Sequence, residues 1–379
     1  MKRRGLILLV VFALAFSLIA CTPATTKPVD TPADKTEAPT DNGGDKAPSN
    51  GDVPEGIAGK KLRIALVKEW GTGTHMIMHI NGAKAEAEKY GIELSVIDAD
   101  NNLTVMAEGI DNAVTNKVDA ILTSHGKADA LLPSVTKALE AGIPVIAFDN
   151  DFMVPEDVAN GKLISLDQYD LMMGLLSQMS LVQELDGKGN VVYNRVANVP
   201  PTDKRHRIWE GGILPTYTGL KVINTIDQGT DNPMPKAQEA LTTILNTTTE
   251  NVDAVYAVWD EYAKGFYNAI VESGKEIPLY SVDISDQDLA MMQDHPEIWR
   301  SSSAVNPYVV GQIQIRLALK AIAGEKIPRY YSMKPVLVKA DDLPNKDEKR
   351  VSMADLADLY PEWASSTDFL EPWMANLEK

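Results

Sequence analysis

From Lys61 onward, short apolar runs alternate with segments of helical period, and the alternation repeats about every 25 residues. A strand at 62–67 (LRIALV) leads through a Gly/Thr-rich turn to a helix at 76–90 that stops at Gly91. Strands at 93–97, 118–123 and 144–148 follow, with helices at 103–116 and 128–141 between them. The pattern restarts after Leu163: helix 169–184, strand 190–196, a polar segment at 203–210, and strand 220–227. Then come helix 234–245, strand 252–258, helix 261–273, strand 278–283, helix 286–292, strand 300–305, helix 307–323 and a strand at 335–338. The strands are apolar throughout instead of alternating, as expected where helices cover both faces of a parallel sheet. Repeated βα units of this length require right-handed crossovers. The chain is therefore read as an α/β protein of two doubly wound parallel-sheet lobes.

In doubly wound sheets a ligand binds beyond the carboxyl ends of the strands. Those positions carry polar and aromatic residues: Trp70 and His75 after the first strand, Asp149 and Asn150 after 144–148, and a basic stretch, Lys204 to Arg207, beyond 190–196. Trp259 and Asp260 follow the strand ending at Val258, Asp283 ends its own strand, and Asn306 follows Val305. Carboxylates, Arg and Asn pair with vicinal hydroxyls, and a flat aromatic ring covers the C–H face of a sugar or polyol. Candidate ligand-binding residues are thus Trp70, His75, Asp149, Asn150, an arginine of the 204–207 stretch, Trp259, Asp260, Asp283 and Asn306.

The amino terminus addresses location. Lys2, Arg3 and Arg4 precede an apolar run, Gly5 to Phe16, of signal-peptide length, and the only cysteine, Cys21, ends Leu18-Ile19-Ala20-Cys21. This ending resembles a bacterial lipobox, which implies cleavage after residue 20 and a lipid on the Cys21 sulfur. The expectation is an extracytoplasmic protein anchored to the bacterial cell membrane through Cys21, with no disulfide in the folded body. Residues 21–60, rich in Thr, Pro, Asp, Lys and Gly, lack the apolar side chains for a core and read as a disordered tether. The formal charge is −17, becoming −20 once the basic leader residues leave, which argues against nucleic acid as a partner.

Catalytic and metal signatures are weak. His75 and His79 stand one helical turn apart, but no HExxH frames them and the remaining histidines add no cluster, so no metal is expected. The Gly71-Thr72-Gly73 turn lacks the Lys-Ser/Thr of a phosphate loop, and neither GxSxG nor a nucleophilic cysteine is present. The reading is a binding protein, not an enzyme, with no cofactor.

From Leu62 to about Lys339 the chain resembles the type I periplasmic binding proteins of the ribose/galactose group, the substrate-capturing components of ABC importers. The residues that carry the likeness are IALV near the start, Gly142 to Asp149 (GIPVIAFD), Val252 to Ala257 with Trp259-Asp260, Tyr280 to Asp283 (YSVD), and Asn306-Pro307 before Val309-Val310-Gly311. The resemblance implies that Asp149 and Asp283 bind sugar hydroxyls from opposite lobes and that Arg207, or Arg205, is the arginine of the second lobe. The chain departs from the family pattern with His75 and Met76 at an often aromatic turn, with Asn150 where Arg is common, and with Trp259 where Asn is common. The resemblance also implies a three-crossing hinge, with residues 61–165 and 306–334 in the amino-terminal lobe and 166–305 and 335–379 in the other. The implied partners are a sugar or polyol and an ABC transporter permease. A sensory lipoprotein that signals to a membrane kinase or chemoreceptor is the alternative.

Overall fold

The computed structural model describes residues 52–364 and 366–378. The leader, Cys21 and the tether as far as residue 51 lie outside the described residues. The first sheet begins with β1 (Arg63–Lys68), β2 (Glu93–Asp98), β3 (Ala120–Ser124), β4 (Val145–Phe148) and β5 (Leu163–Asp167). The second begins with β6 (Lys188–Arg195), β7 (Gly219–Asp227), β8 (Ala254–Tyr256), β9 (Leu279–Val282) and β10 (Trp299–Ala304). β11 (Tyr330–Ser332) returns to the edge of the first sheet and β12 (Val336–Lys339) to the edge of the second.

The strand orders are β11-β5-β4-β3-β1-β2 and β12-β10-β9-β8-β6-β7. All pairings are parallel except β12 against β10. Both orders reverse at one place, between β1 and β3 and between β6 and β8, which is where each sheet opens a crevice at its carboxyl edge. β3, β4 and β9 are buried along their whole length, and edge strands β2 and β7 are largely solvent-facing. Central strands therefore need continuous apolar side chains and edge strands do not. β10 (WRSSSA) is a special case: it is almost wholly buried, and its serines are satisfied by helix and strand partners. Ser303 Oγ donates to the Met173 carbonyl (2.6 Å) and Ser301 Oγ to Ser180 Oγ (2.9 Å).

The helix Thr74–Lys89 lies against the helix Pro307–Ile322, so the latter belongs with the first sheet although it follows the second in sequence. Gly82 permits the approach: a Cβ there would overlap the Tyr308 carbonyl. A buried ion pair, Arg316 Nε to Glu86 Oε1 at 2.6 Å, fastens the same two helices. The helix Asp170–Glu184 packs on β9 and β10 and so belongs with the second sheet. The chain thus crosses between the lobes at 167–170, 304–307 and 332–336.

Two boundaries read from sequence need correction. Ile57 is buried and residues 54–60 form hydrogen-bonded turns, so the expected tether ends before residue 60. Residues 335–379 are not confined to the second lobe. Gln293 Nε2 donates to the Pro344 and Lys349 carbonyls (both 2.8 Å), and Asp286 Oδ1 accepts from Met353 N (2.7 Å), which fixes the start of the extension to the second lobe. Beyond Trp363 the extension grips the first lobe. Arg316 Nη1 donates to the Ser366 carbonyl (2.6 Å), Tyr331 OH to Asp368 Oδ2 (2.5 Å) and Trp373 Nε1 to Glu325 Oε1 (2.7 Å), while Lys320 pairs with Glu371. This is a fourth passage between the lobes, fastened to the first lobe by contacts of Ser366, Asp368, Glu371 and Trp373.

Candidate ligand-binding cleft

The carboxyl ends of strands from both sheets face one cleft of about 370 Å³. Non-glycine residues at three strand ends hold left-handed backbone: His125 (φ 61°) after β3, Asp149 (φ 51°) after β4 and Asp283 (φ 71°) after β9. Such conformations are costly and concentrate where a chain must aim a side chain at a ligand.

The second-lobe wall is built on the helix Pro200–Ile208, which the polar composition of that stretch conceals in the sequence. Gly174 lets it approach the neighbouring helix, since a Cβ there would lie 3.0 Å from the Arg205 Cα. Arg205 is 1% exposed. Its Nη1 donates to Asp283 Oδ2 and to the Val258 carbonyl (both 2.8 Å), its Nη2 to Asp283 Oδ1 (3.3 Å), and its Nε to Asp170 Oδ1 (3.0 Å). Burial works against the charge, but Asp283 and Asp170 outweigh it and hold the Arg205 pKa above its ordinary value. Burial raises the Asp170 pKa in spite of Arg205 and Lys204 beside it. Asp260 is buried next to Lys264 (3.4 Å), and Glu261 pairs with the same lysine at 2.5 Å. Every Asp, Glu and Arg on the cleft surface consequently has an opposite charge within 4.0 Å.

The first-lobe wall carries Trp70, His75, His125 and Gln168. Glu69 fixes the loop after β1 by accepting from Gly126 N (2.8 Å), and Trp70 lies 5.1 Å from the His125 ring. His75 stacks parallel to Phe148, with 6.3 Å between ring centroids. Burial pushes its pKa down to about 4, which keeps the imidazole neutral, and its Nε2 has no partner. Behind this wall Lys68 is fully buried, with Nζ 2.6 Å from His79 Nδ1, and burial pushes its pKa down to about 7. His79 Nε2 is 2.7 Å from Gln314 Oε1, so both of its nitrogens are engaged inside the lobe and it is not half of a metal pair with His75.

Of the residues nominated from sequence, Trp70, His75, Trp259, Asp260 and Asp283 line this cleft. Asp149 and Asn150 line an adjoining cavity of about 200 Å³ with Lys204 and Tyr330. Asn150 spends its amide on the His125 and Gly126 carbonyls (both 3.0 Å), so it braces a turn. Arg207 is exposed, because two residues turn a helix through about 200° and place it opposite Arg205. Arg207 is replaced by Arg205 at the site. Asn306 is also displaced: it caps the helix at Pro307 through Tyr308 N (3.0 Å) and donates to the Trp363 carbonyl (2.9 Å). Gln168 and His125 escaped the sequence reading, since neither an uncharged amide nor an isolated histidine marks itself by spacing. Among the described residues no cluster suited to a metal occurs, and no helix is long and apolar enough to cross a membrane.

Two parallel-sheet lobes whose strand ends converge on a polar, aromatic cleft define a solute-binding protein of the α/β class. The chain belongs to the periplasmic binding protein domain family, which it matches over residues 65–326, a family that works outside the cytoplasm. It is similar to the 5-methylthioribose transporter solute-binding protein of Thermotoga lettingae, solved with 5-methylthioribose: 30% identity, TM-score 0.77, covering 86% of this chain and 99% of that one. A sugar ABC transporter structure from Yersinia enterocolitica superposes with TM-score 0.78 at 26% identity, over 87% of this chain and 98% of that one. The ribose import binding protein of Bacillus subtilis is 24% identical over 251 residues, 66% of this chain and 78% of the relative. These relatives are substrate-binding proteins of sugar transport, not enzymes.

Proposed function

We propose that this protein is an extracytoplasmic solute-binding lipoprotein that captures an uncharged sugar or polyol between its lobes and delivers it to an ABC importer. The observation that carries the reading is that the cations of the cleft are already committed to carboxylates. Arg205, Asp283, Asp260 and Glu261 supply hydrogen-bonding capacity, and each already has an opposite charge within 4.0 Å, with Arg205 shared by two carboxylates and Lys264 by three. An anionic ligand would find no uncommitted cation there and an excess of carboxylates, whereas hydroxyl groups would find donors and acceptors in pairs. Trp70 and Trp259, one from each lobe, supply surfaces for a sugar's C–H face. Met76 and Pro233 add an apolar side to the cleft, which favours a pentose with a short apolar substituent, such as the 5-methylthioribose bound by the Thermotoga relative.

On this reading ligand contacts to both walls favour the closed arrangement of the lobes 61–165 with 306–334 and 166–305 with 335–363 about their crossings. The closed form is what a permease recognises, and lipid on Cys21 keeps the protein at the membrane. A calorimetric panel of D-ribose, D-allose, xylitol and 5-methylthioribose tests the proposal, with small-angle scattering on any compound that binds. Binding with compaction supports it. Saturable binding of anionic sugars in preference to neutral ones, or no compaction with a bound ligand, overturns it.

A further inference from the structure

Gln168 follows β5 at the first passage between the lobes, where its side chain is 3% exposed and lines the cleft. Its Nε2 donates to Asp149 Oδ2 at 2.8 Å, and its backbone N–H donates to Asp149 Oδ1 at 3.3 Å. Turning the amide over would set its oxygen against the carboxylate, so Asp149 decides which way Gln168 points. The consequence is that Gln168 Oε1 is buried, directed away from Asp149, and has no hydrogen-bond partner. Buried acceptors are almost always satisfied, so an unpartnered one on a residue that lines a cleft calls for a donor. His75 Nε2 is a second unpartnered polar atom on the same wall. Asp149, by contrast, has both oxygens engaged within the protein, with His125 Nε2 a further 3.5 Å neighbour of Oδ2, and it lines the adjoining cavity instead of this one.

We propose that Gln168 is a ligand-contact residue: its Oε1 accepts a hydrogen bond from a sugar hydroxyl, and Asp149 acts behind it as the positioning residue that fixes the amide. The inference rests on the proposed sugar-binding role and names the group through which the first lobe reads the ligand. It also places a ligand contact on a segment that joins the lobes, so occupancy is felt where they articulate.

The test is calorimetry on the full chain with D-ribose, 5-methylthioribose and their 2-deoxy and 3-deoxy analogues. Gln168→Met should weaken binding of the parent sugar at least 10-fold. One deoxy analogue should then bind wild type and variant equally, because the hydroxyl that Gln168 reads is already gone. Asp149→Asn supplies a second arm, since an asparagine can donate as well as accept and no longer dictates the amide's orientation. It should also weaken parent binding, and adding it to Gln168→Met should produce no further loss. Losses of equal size for every sugar, or affinity within 2-fold of wild type in Gln168→Met, would overturn the assignment. Absence of any sugar binding by the wild-type protein would overturn the sugar-binding role itself, and the assignment with it.

Discussion

Arg205 and Asp283 meet as a two-pronged fork: Nη1 to Oδ2 at 2.8 Å and Nη2 to Oδ1 at 3.3 Å, at the floor of the cleft. Asp170 holds the other edge of the guanidinium, so one cation compensates two buried carboxylates. Removing it leaves Asp283 without its cation and Asp170 with only Lys204 at 3.9 Å, and breaking a buried pair in this way costs about 3–5 kcal/mol. Arg205→Met should therefore abolish sugar binding and lower unfolding stability by about that amount in urea titrations. Arg205→Lys should rescue little, since a point charge cannot reproduce the fork. Arg207→Met, on the exposed face of the same helix, should shift stability by no more than about 0.5 kcal/mol and leave affinity intact. Equal effects at the two positions would contradict the placement of the site.

Lys68 gives a pH signature on the alkaline side. Burial lowers its pKa from 10.5 to about 7, so between those values the unfolded chain carries a proton that the folded chain has released. Stability rises with pH wherever the unfolded state binds more protons, by about 1.4 kcal/mol per pH unit for one group. The contribution is least below about pH 7 and grows as pH climbs toward 10. Lys68→Met removes this slope. Relative to wild type, the variant should be most stable near pH 6 and progressively less so at pH 8 and pH 9. A difference that stays constant across that range would show that Lys68 does not titrate there.

Much of this architecture is legible in the sequence because continuous apolar strands announce a parallel sheet. β3 (AILTS) and β4 (VIAF) carry their own evidence. The helix Pro200–Ile208 does not, since the residues it buries are Pro201, Thr202 and Arg205, a face with no apolar periodicity. Hence the basic stretch is visible as a site, but the choice between Arg205 and Arg207 waits on knowing that the segment is helical. β11 is three residues long and lies at an edge, too short for a pattern. Asp149 and Asp283 both stand at strand ends, yet only Asp283 reaches the main cleft, because Gln168 is interposed before Asp149. That depends on a single side chain and leaves no trace in composition.

The carboxyl-terminal extension should be a stability element. Trp373 is 4% exposed and donates from Nε1 to Glu325, while Phe369 packs edge-on to Tyr331 at 4.8 Å. Truncating a buried tryptophan costs about 3–5 kcal/mol. Trp373→Ala should lower the unfolding free energy by about 3 kcal/mol without changing sugar affinity, because Trp373 lies away from the cleft. Deleting residues 365–379 removes the fourth passage between lobes while leaving the contacts of Met353 and Gln293 in place. Scattering from the ligand-free truncated protein should then show a larger radius of gyration than the intact protein. An unchanged radius would mean that the extension stabilises one lobe and does not restrain the pair.

His75 makes the complementary acid-side prediction. Burial pushes its pKa down to about 4, with the Asp283 charge only partly offsetting that effect, while in the unfolded chain it titrates near 6.5. As pH falls from 6.5 toward 4 the unfolded chain takes up a proton that folded His75 refuses, so stability declines across that window. His79 and His125 are displaced in the same direction by burial and steepen the decline. His75→Phe preserves the aromatic stack on Phe148 and removes one titrating group. Its unfolding midpoint should therefore fall less than that of wild type between pH 6.5 and pH 4.5, while its sugar affinity drops through loss of the unpartnered Nε2. A variant as acid-sensitive as wild type would place the His75 ring in solvent, and retained affinity would remove it from the ligand-binding wall.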